Sequence, residues 1–152
     1  MDTGRMISAL NKAVALEHAA CIQYKQHALL VRGFWRKVFA DFFFDESRSA
    51  QEHAYKFGRK IVALGGVPTI EVGVAVRQSL DLKEMLRQDL EIERQAKEAY
   101  LEAWSLCEDD VALRTMLEDQ IESEQRDIEE LEMYLEMVQT EAVTPELHLQ
   151  VV

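Results

Sequence analysis

The stretch Asp45-Glu46-Ser47-Arg48-Ser49-Ala50-Gln51-Glu52-His53 lies at the middle of a long helical pattern. Phe39, Phe42, Glu46, Ala50, His53, Phe57 and Leu64 follow the three-and-four spacing of one helix face. An imidazole and a carboxylate on that apolar face are costly unless something there binds them. Three other segments repeat the anomaly with a carboxylate. Glu17 interrupts the stripe Ile7, Leu10, Val14, Cys21, Tyr24, Ala28, Val31. Glu93 interrupts Leu86, Leu90, Ala96, Tyr100, with Ala103 or Trp104 at its end. Glu124 interrupts Leu113, Leu117, Ile121, Leu131, Leu135, with Asp127 or Ile128 as the next inward position.

Working outward, these stripes define four helices. The first is predicted over about Thr3 to Gly33, with Thr3 as its cap. The second runs over about Arg36 to Leu64, where Gly65-Gly66-Val67-Pro68 stops it. The short link Gly33-Phe34-Trp35 makes the two antiparallel neighbours. The third opens at Asp81 with Glu84 three residues on, a capping box, and runs to about Cys107. The fourth opens at Asp109-Asp110, acids where the helix dipole favours them, and runs to about Val138. Residues 65–81 contain an alternating run, Thr69 to Val74, but no second strand pairs with it. A helix of ~30 residues is about 45 Å long, and a link of ~16 residues reaches about 50 Å. The link can therefore run the length of the bundle and set the third helix parallel to the second. The expected fold is all-α, a four-helix bundle with a long crossover between helices 2 and 3, over 1–140. Residues 141–152 form a tail: a fifth segment, a docking strip or a frayed end.

Composition agrees. The chain has 152 residues, 48% hydrophobic and 30% charged, enough for one core. Only two prolines and six glycines interrupt it, which favours long helices. A net charge of −11 argues against nucleic acid and anionic membranes; taken alone it suits simple solubility, and it also favours cationic partners such as metal ions. No apolar run approaches the ~20 residues that span a bilayer, and Met1 to Met6 carries no signal-peptide core. Cys21 and Cys107 give neither zinc spacing nor a disulfide framework, so a reducing, cytoplasmic setting is expected.

Glu17, His53, Glu93 and Glu124 each fall near the centre of their helix, so antiparallel packing brings them to one height. Carboxylates clustered in a core repel, and a divalent or trivalent cation cancels that repulsion; carboxylate with imidazole suits iron or manganese. Asp127 follows Glu124 at the offset of the Glu-x-x-His pair of di-metal bundles, with Asp at the His place. Tyr24 is placed to donate a hydrogen bond or an electron nearby. The bland alternative is that the acids pair with Arg126 or Lys97. His18, His27 and His148 lie off the site face and read as surface residues. Met85, Met116, Met133 and Met137 read as packing.

At these residues the chain resembles a bacterioferritin within the ferritin-like superfamily. The matching runs are Leu10-Asn11-Lys12, Gln23-Tyr24 with His27-Ala28, His53-Ala54, Gly66-Val67-Pro68 and Leu86-Arg87-Gln88-Asp89-Leu90. The resemblance implies a ligand set with Glu17 and Glu93 terminal, Glu124 bridging and His53 giving nitrogen. Asp127 stands where the second histidine would be, and Ala50 where the bridging glutamate of the second helix would be. Glu46 or Glu52 could replace that bridge. Gln51 stands at the haem-binding methionine position, so haem is not expected. Asp45 stands at the inner-surface iron position.

The function implied is iron(II) oxidation and iron storage at a modified intra-bundle site holding one or two ions, with manganese as the alternative ion. The implied assembly is a homo-oligomer, a dimer at least and up to a 24-mer shell. Ala50 and Asp127 weaken the ferroxidase expectation. Two alternatives stay open: a non-catalytic or weakly metal-binding ferritin-like shell subunit, and a small rubrerythrin-like oxidase or peroxidase.

Overall fold

Asp2, not Thr3, starts the first helix: its Oδ1 accepts from the Arg5 N–H at 3.0 Å. In the computed structural model, the backbone of residues 1–151 and the side chains of residues 1–136 are described. The elements are α1 (Thr3–Leu30), α2 (Arg36–Ala63), α3 (Leu82–Ser105) and α4 (Val111–Val151), with no strand among the described residues. The boundary expected near residue 140, the tail over 141–152 and His148 fall beyond residue 136, outside the described side chains.

Each helix end has a local cause. Arg36 Nη1 reaches back to the Val31 carbonyl at 2.6 Å and closes the link between α1 and α2. Gly65 ends α2 with φ of 86°, a left-handed conformation that glycine adopts without strain. Asp81 caps α3 by accepting from Glu84 N at 3.1 Å, and Asp110 caps α4 by accepting from Leu113 N at 2.9 Å.

Residues 64–81 run along α1 and are pinned to it. Asn11 Nδ2 donates to the Val67 carbonyl at 3.1 Å, and its Oδ1 accepts from Thr69 N at 2.8 Å. Gly73 N donates to the Ala15 carbonyl at 2.8 Å, and a Cβ at residue 73 would sit 3.0 Å from the Ala15 carbonyl carbon. Glycine is what permits that approach. Farther on, Gln23 Oε1 accepts from Arg77 N at 2.8 Å while Gln23 Nε2 donates to the Arg77 carbonyl. The alternating run at Thr69–Val74 is thus an extended strap whose backbone groups are satisfied by α1 rather than by a partner strand.

The core comes as two apolar blocks. One gathers Met6, Leu10, Phe57, Ile61, Leu113 and Leu117. The other gathers Phe39, Phe43, Met85, Leu86, Ile128 and Leu131. Fully burying each such side chain contributes about 1.5–3 kcal/mol. α2 and α4 meet through side chains: the Phe39 and Phe42 rings lie 5.1 and 5.0 Å from the Tyr134 ring. Between the blocks lies a polar layer.

Candidate metal centre

Three carboxylates are buried in that layer: Glu17, Glu93 and Glu124, at 3%, 6% and 1% exposure. They do not pair with lysine or arginine among the described residues. Arg126 goes to Glu122 at 3.0 Å and Lys97 to Gln125 at 2.7 Å, both on the outside of the bundle. The ionic alternative left open by the sequence therefore does not form.

The inward groups form two triads. In one, ligand atoms of Glu17, His53 and Glu124 lie within 4.8 Å of one another; in the other, those of Glu46, Glu93 and Asp127 do. His53 Nδ1 is 3.4 Å from Glu17 Oε1 and 3.8 Å from Glu124 Oε1. All four helices contribute: Glu17 from α1, Glu46 and His53 from α2, Glu93 from α3, Glu124 and Asp127 from α4. The triads adjoin, because the Glu93 and Glu124 carboxyls interact directly.

Neutral donors hold the carboxylates in place. Tyr24 Oη donates to Glu93 Oε1 at 2.6 Å, and Tyr100 Oη donates to Glu17 Oε1 at 2.6 Å. Gln120 Nε2 donates to Glu124 Oε1 at 2.7 Å and lies 3.1 Å from His53 Nδ1. Glu124 Oε2 is buried with no hydrogen-bond partner. A buried, unpaired carboxylate oxygen is costly, and a bound cation satisfies it.

Electrostatics describe a site short of positive charge. Burial pushes Glu46 and Glu124 up to about 8, with Asp127 adding to the first and Glu17 to the second. Burial pushes Asp127 up to about 6, opposed by His53. Glu93 lies well above the usual carboxylate range, through burial and then Glu124. For His53, burial acts downward, but the Glu17 hydrogen bond and the surrounding acids leave it raised. Both tyrosines are raised well above the usual phenol range, by burial first and then by the carboxylates they face. Clustered acids with raised values, paired with no lysine or arginine at salt-bridge distance among the described residues, suit a cation-binding role.

The structure also places the other residues singled out. Ala50 is buried and offers no oxygen; Glu46, one turn earlier, joins the second triad. Glu52, Asp45 and Gln51 are exposed. Sequence reasoning gave no site role to Tyr100 or Gln120. The usable signal was spacing: Tyr100 is seven residues after Glu93, and Gln120 four before Glu124, on the same faces.

His27 is not a surface residue: it and Asp89 are fully buried, with Nδ1 2.9 Å from Asp89 Oδ2. Its Nε2 lies 2.8 Å from Gln23 Nε2, and Phe43 covers its ring at 5.4 Å. Burial raises Asp89 to about 6, although the His27 hydrogen bond pulls it down. His18 is half-buried, with Nε2 3.1 Å from the Thr69 carbonyl of the crossover.

Known proteins share this architecture. A solved structure of a ferritin-like diiron-carboxylate protein from Bacillus anthracis superposes with a TM-score of 0.82 and 33% identity, over 89% of this chain and 98% of that one. A bacterioferritin from Brucella melitensis is 27% identical over 136 residues, covering 88% of this chain and 84% of the relative. A nutrient stress-induced DNA-binding protein from Synechococcus is 32% identical over 66 residues, 43% of this chain and 38% of the relative. The profile of the Ferritin family matches residues 7–140, nearly the whole bundle. The chain belongs to the Ferritin family and carries its ferritin-like domain.

Proposed function

We propose that this protein takes up iron(II) at the bundle centre, oxidises it and passes it on for storage. What carries the reading is the pair of adjoining triads, six inward ligands from four helices with no lysine or arginine at salt-bridge distance from them among the described residues. The similarity to a bacterioferritin and to a diiron-carboxylate structure supports it.

In this mechanism iron(II) is the substrate, and dioxygen or peroxide, supplied from outside, accepts the electrons. Glu17, His53 and Glu124 would hold one ion; Glu46, Glu93 and Asp127 would hold the second. The Glu93 and Glu124 carboxyls, one from each triad, adjoin and would keep the two ions neighbours. Tyr24 and Tyr100 orient Glu93 and Glu17 by donating from one side, which leaves the remaining lone pairs for the ion. Gln120 does the same for Glu124 and leaves Oε2 free. Tyr24, hydrogen-bonded to Glu93, would also be placed to supply an electron.

Assembly belongs to the same proposal. Tyr55, Val62 and Val67 are 70%, 60% and 81% exposed, and beside them lies a groove of about 980 Å³ lined in part by Val14, Ala54 and Pro68. Apolar exposure on this scale suits burial against another copy. The free thiols Cys21 and Cys107 suit a reducing, cytoplasmic compartment.

Ala50 supports a second reading, a shell subunit that binds metal weakly, because α2 presents a methyl group where the resemblance places a bridging carboxylate. Stopped-flow iron(II) oxidation separates the two. On the first reading the wild-type protein oxidises iron(II) faster than buffer, and Glu124→Ala loses most of that rate. A rate unchanged by Glu124→Ala removes the site from the mechanism.

A further inference from the structure

The two triads differ in chemistry. One has two carboxylates and an imidazole, and the other has three carboxylates and no nitrogen. Counted as ionised acids with a neutral imidazole, they carry −2 and −3. A divalent ion neutralises the first triad and leaves the second at −1. Imidazole suits iron, cobalt and zinc, whereas all-carboxylate sites suit harder ions such as manganese. The inequality comes from two residues of this chain. Asp127 puts oxygen in the second triad where the resemblance places nitrogen, and Ala50 leaves the second helix to contribute there through Glu46.

The second triad is more than a set of surface acids. Glu93 is 6% exposed and held by the Tyr24 hydroxyl. The unpartnered Oε2 belongs to Glu124, whose carboxyl interacts with that of Glu93 where the triads meet. Each triad also has its own phenol donor, Tyr100 for the first and Tyr24 for the second. The halves thus adjoin but are held by different donors.

We propose that the centre sorts metals: the Glu17–His53–Glu124 position takes a borderline divalent ion such as iron(II), and the Glu46–Glu93–Asp127 position prefers manganese(II). This rests on the metal-binding reading above. Iron(II) offered alone fills both positions; offered together, the two metals divide between them.

The test uses full-length metal-free protein with cobalt(II), read by visible absorption, as the probe of the nitrogen-bearing position. Manganese(II), read by electron paramagnetic resonance, probes the other. The wild-type protein is expected to hold one cobalt and one manganese per chain at the same time. His53→Ala should weaken cobalt binding by about 10-fold or more and leave manganese within about 3-fold. Asp127→Ala should do the reverse. Both positions are partly exposed, so these variants spare the core, and the wild-type co-occupancy measurement stands without them. Competition of both metals for the same positions in the wild type overturns the proposal, as does equal loss of both metals in each variant. Failure of the wild type to bind either metal overturns the metal-binding reading itself.

Discussion

Tyr100 donates its hydroxyl to Glu17 at 2.6 Å, across the antiparallel pair of α1 and α3. Tyr24 and Glu93 repeat the contact with the helices exchanged, the phenol now on α1 and the acid on α3. Glu17 and Tyr24 are seven residues apart, as are Glu93 and Tyr100, so the two contacts share one register. Deleting one hydroxyl leaves a buried carboxylate without its donor, which costs about 1–3 kcal/mol. Tyr100→Phe should lower the stability of the metal-free protein by that amount in urea unfolding and weaken metal binding at the Glu17 triad. An unchanged midpoint would mean that the hydroxyl holds nothing.

The raised carboxyls set the sign of a pH effect. Glu46 and Glu124 sit at about 8 and Asp127 at about 6 in the folded chain, chiefly through burial. In the unfolded chain such groups titrate near about 4. Between these limits the folded state binds more protons, so its stability is present at low pH and lost as pH rises through about 6 to 8. The melting temperature of the metal-free protein should fall on the order of 5 °C or more from pH 5.5 to 8.5. Metal binding needs the acids deprotonated, so iron(II) or manganese(II) should strengthen with pH and reverse the trend. Calorimetric melts with and without metal check both halves.

Ala50 marks the missing oxygen. It is 4% exposed on the site face of α2, one turn after Glu46. Ala50→Glu should bring a carboxylate between the triads and raise the iron(II) oxidation rate by ~10-fold or more, the scale on which ligand-supporting changes act. Stopped-flow absorbance reads this directly, and a slower rate would show that the centre works because that oxygen is absent.

Gln23 joins three parts of the fold, pairing with both backbone groups of Arg77 and touching His27, which is bound to Asp89. Gln23→Leu should loosen the Arg77 end of the crossover, which Asn11 and Gly73 still hold elsewhere, and cost about 1–3 kcal/mol in urea unfolding. Metal stoichiometry should not change, since Gln23 touches none of the six ligands.

Much of this was legible in the sequence. The four helices showed because each carries one apolar stripe, and the crossover showed because the link is just long enough to run the length of the bundle. Glu17, His53, Glu93 and Glu124 stood out as polar residues on apolar faces. Tyr100 did not, because an inward tyrosine looks like ordinary packing until its hydroxyl partner is known. His27 misled because a single stripe was assigned to α1. That helix is covered by α2, α3 and the crossover strap together, so Leu16, Glu17, Ala19 and Ala20 are all buried. Asp2 and Thr3 are both good caps by residue type, and only geometry chooses Asp2.

Anaerobic iron(II) titration of the metal-free protein, with bound iron counted after gel filtration, tests the central claim most directly. Two adjoining triads predict two irons per chain in the wild type and a clear loss in Glu17→Ala and Glu124→Ala. A wild-type protein that emerges without iron, or variants that retain as much as the wild type, would contradict the account.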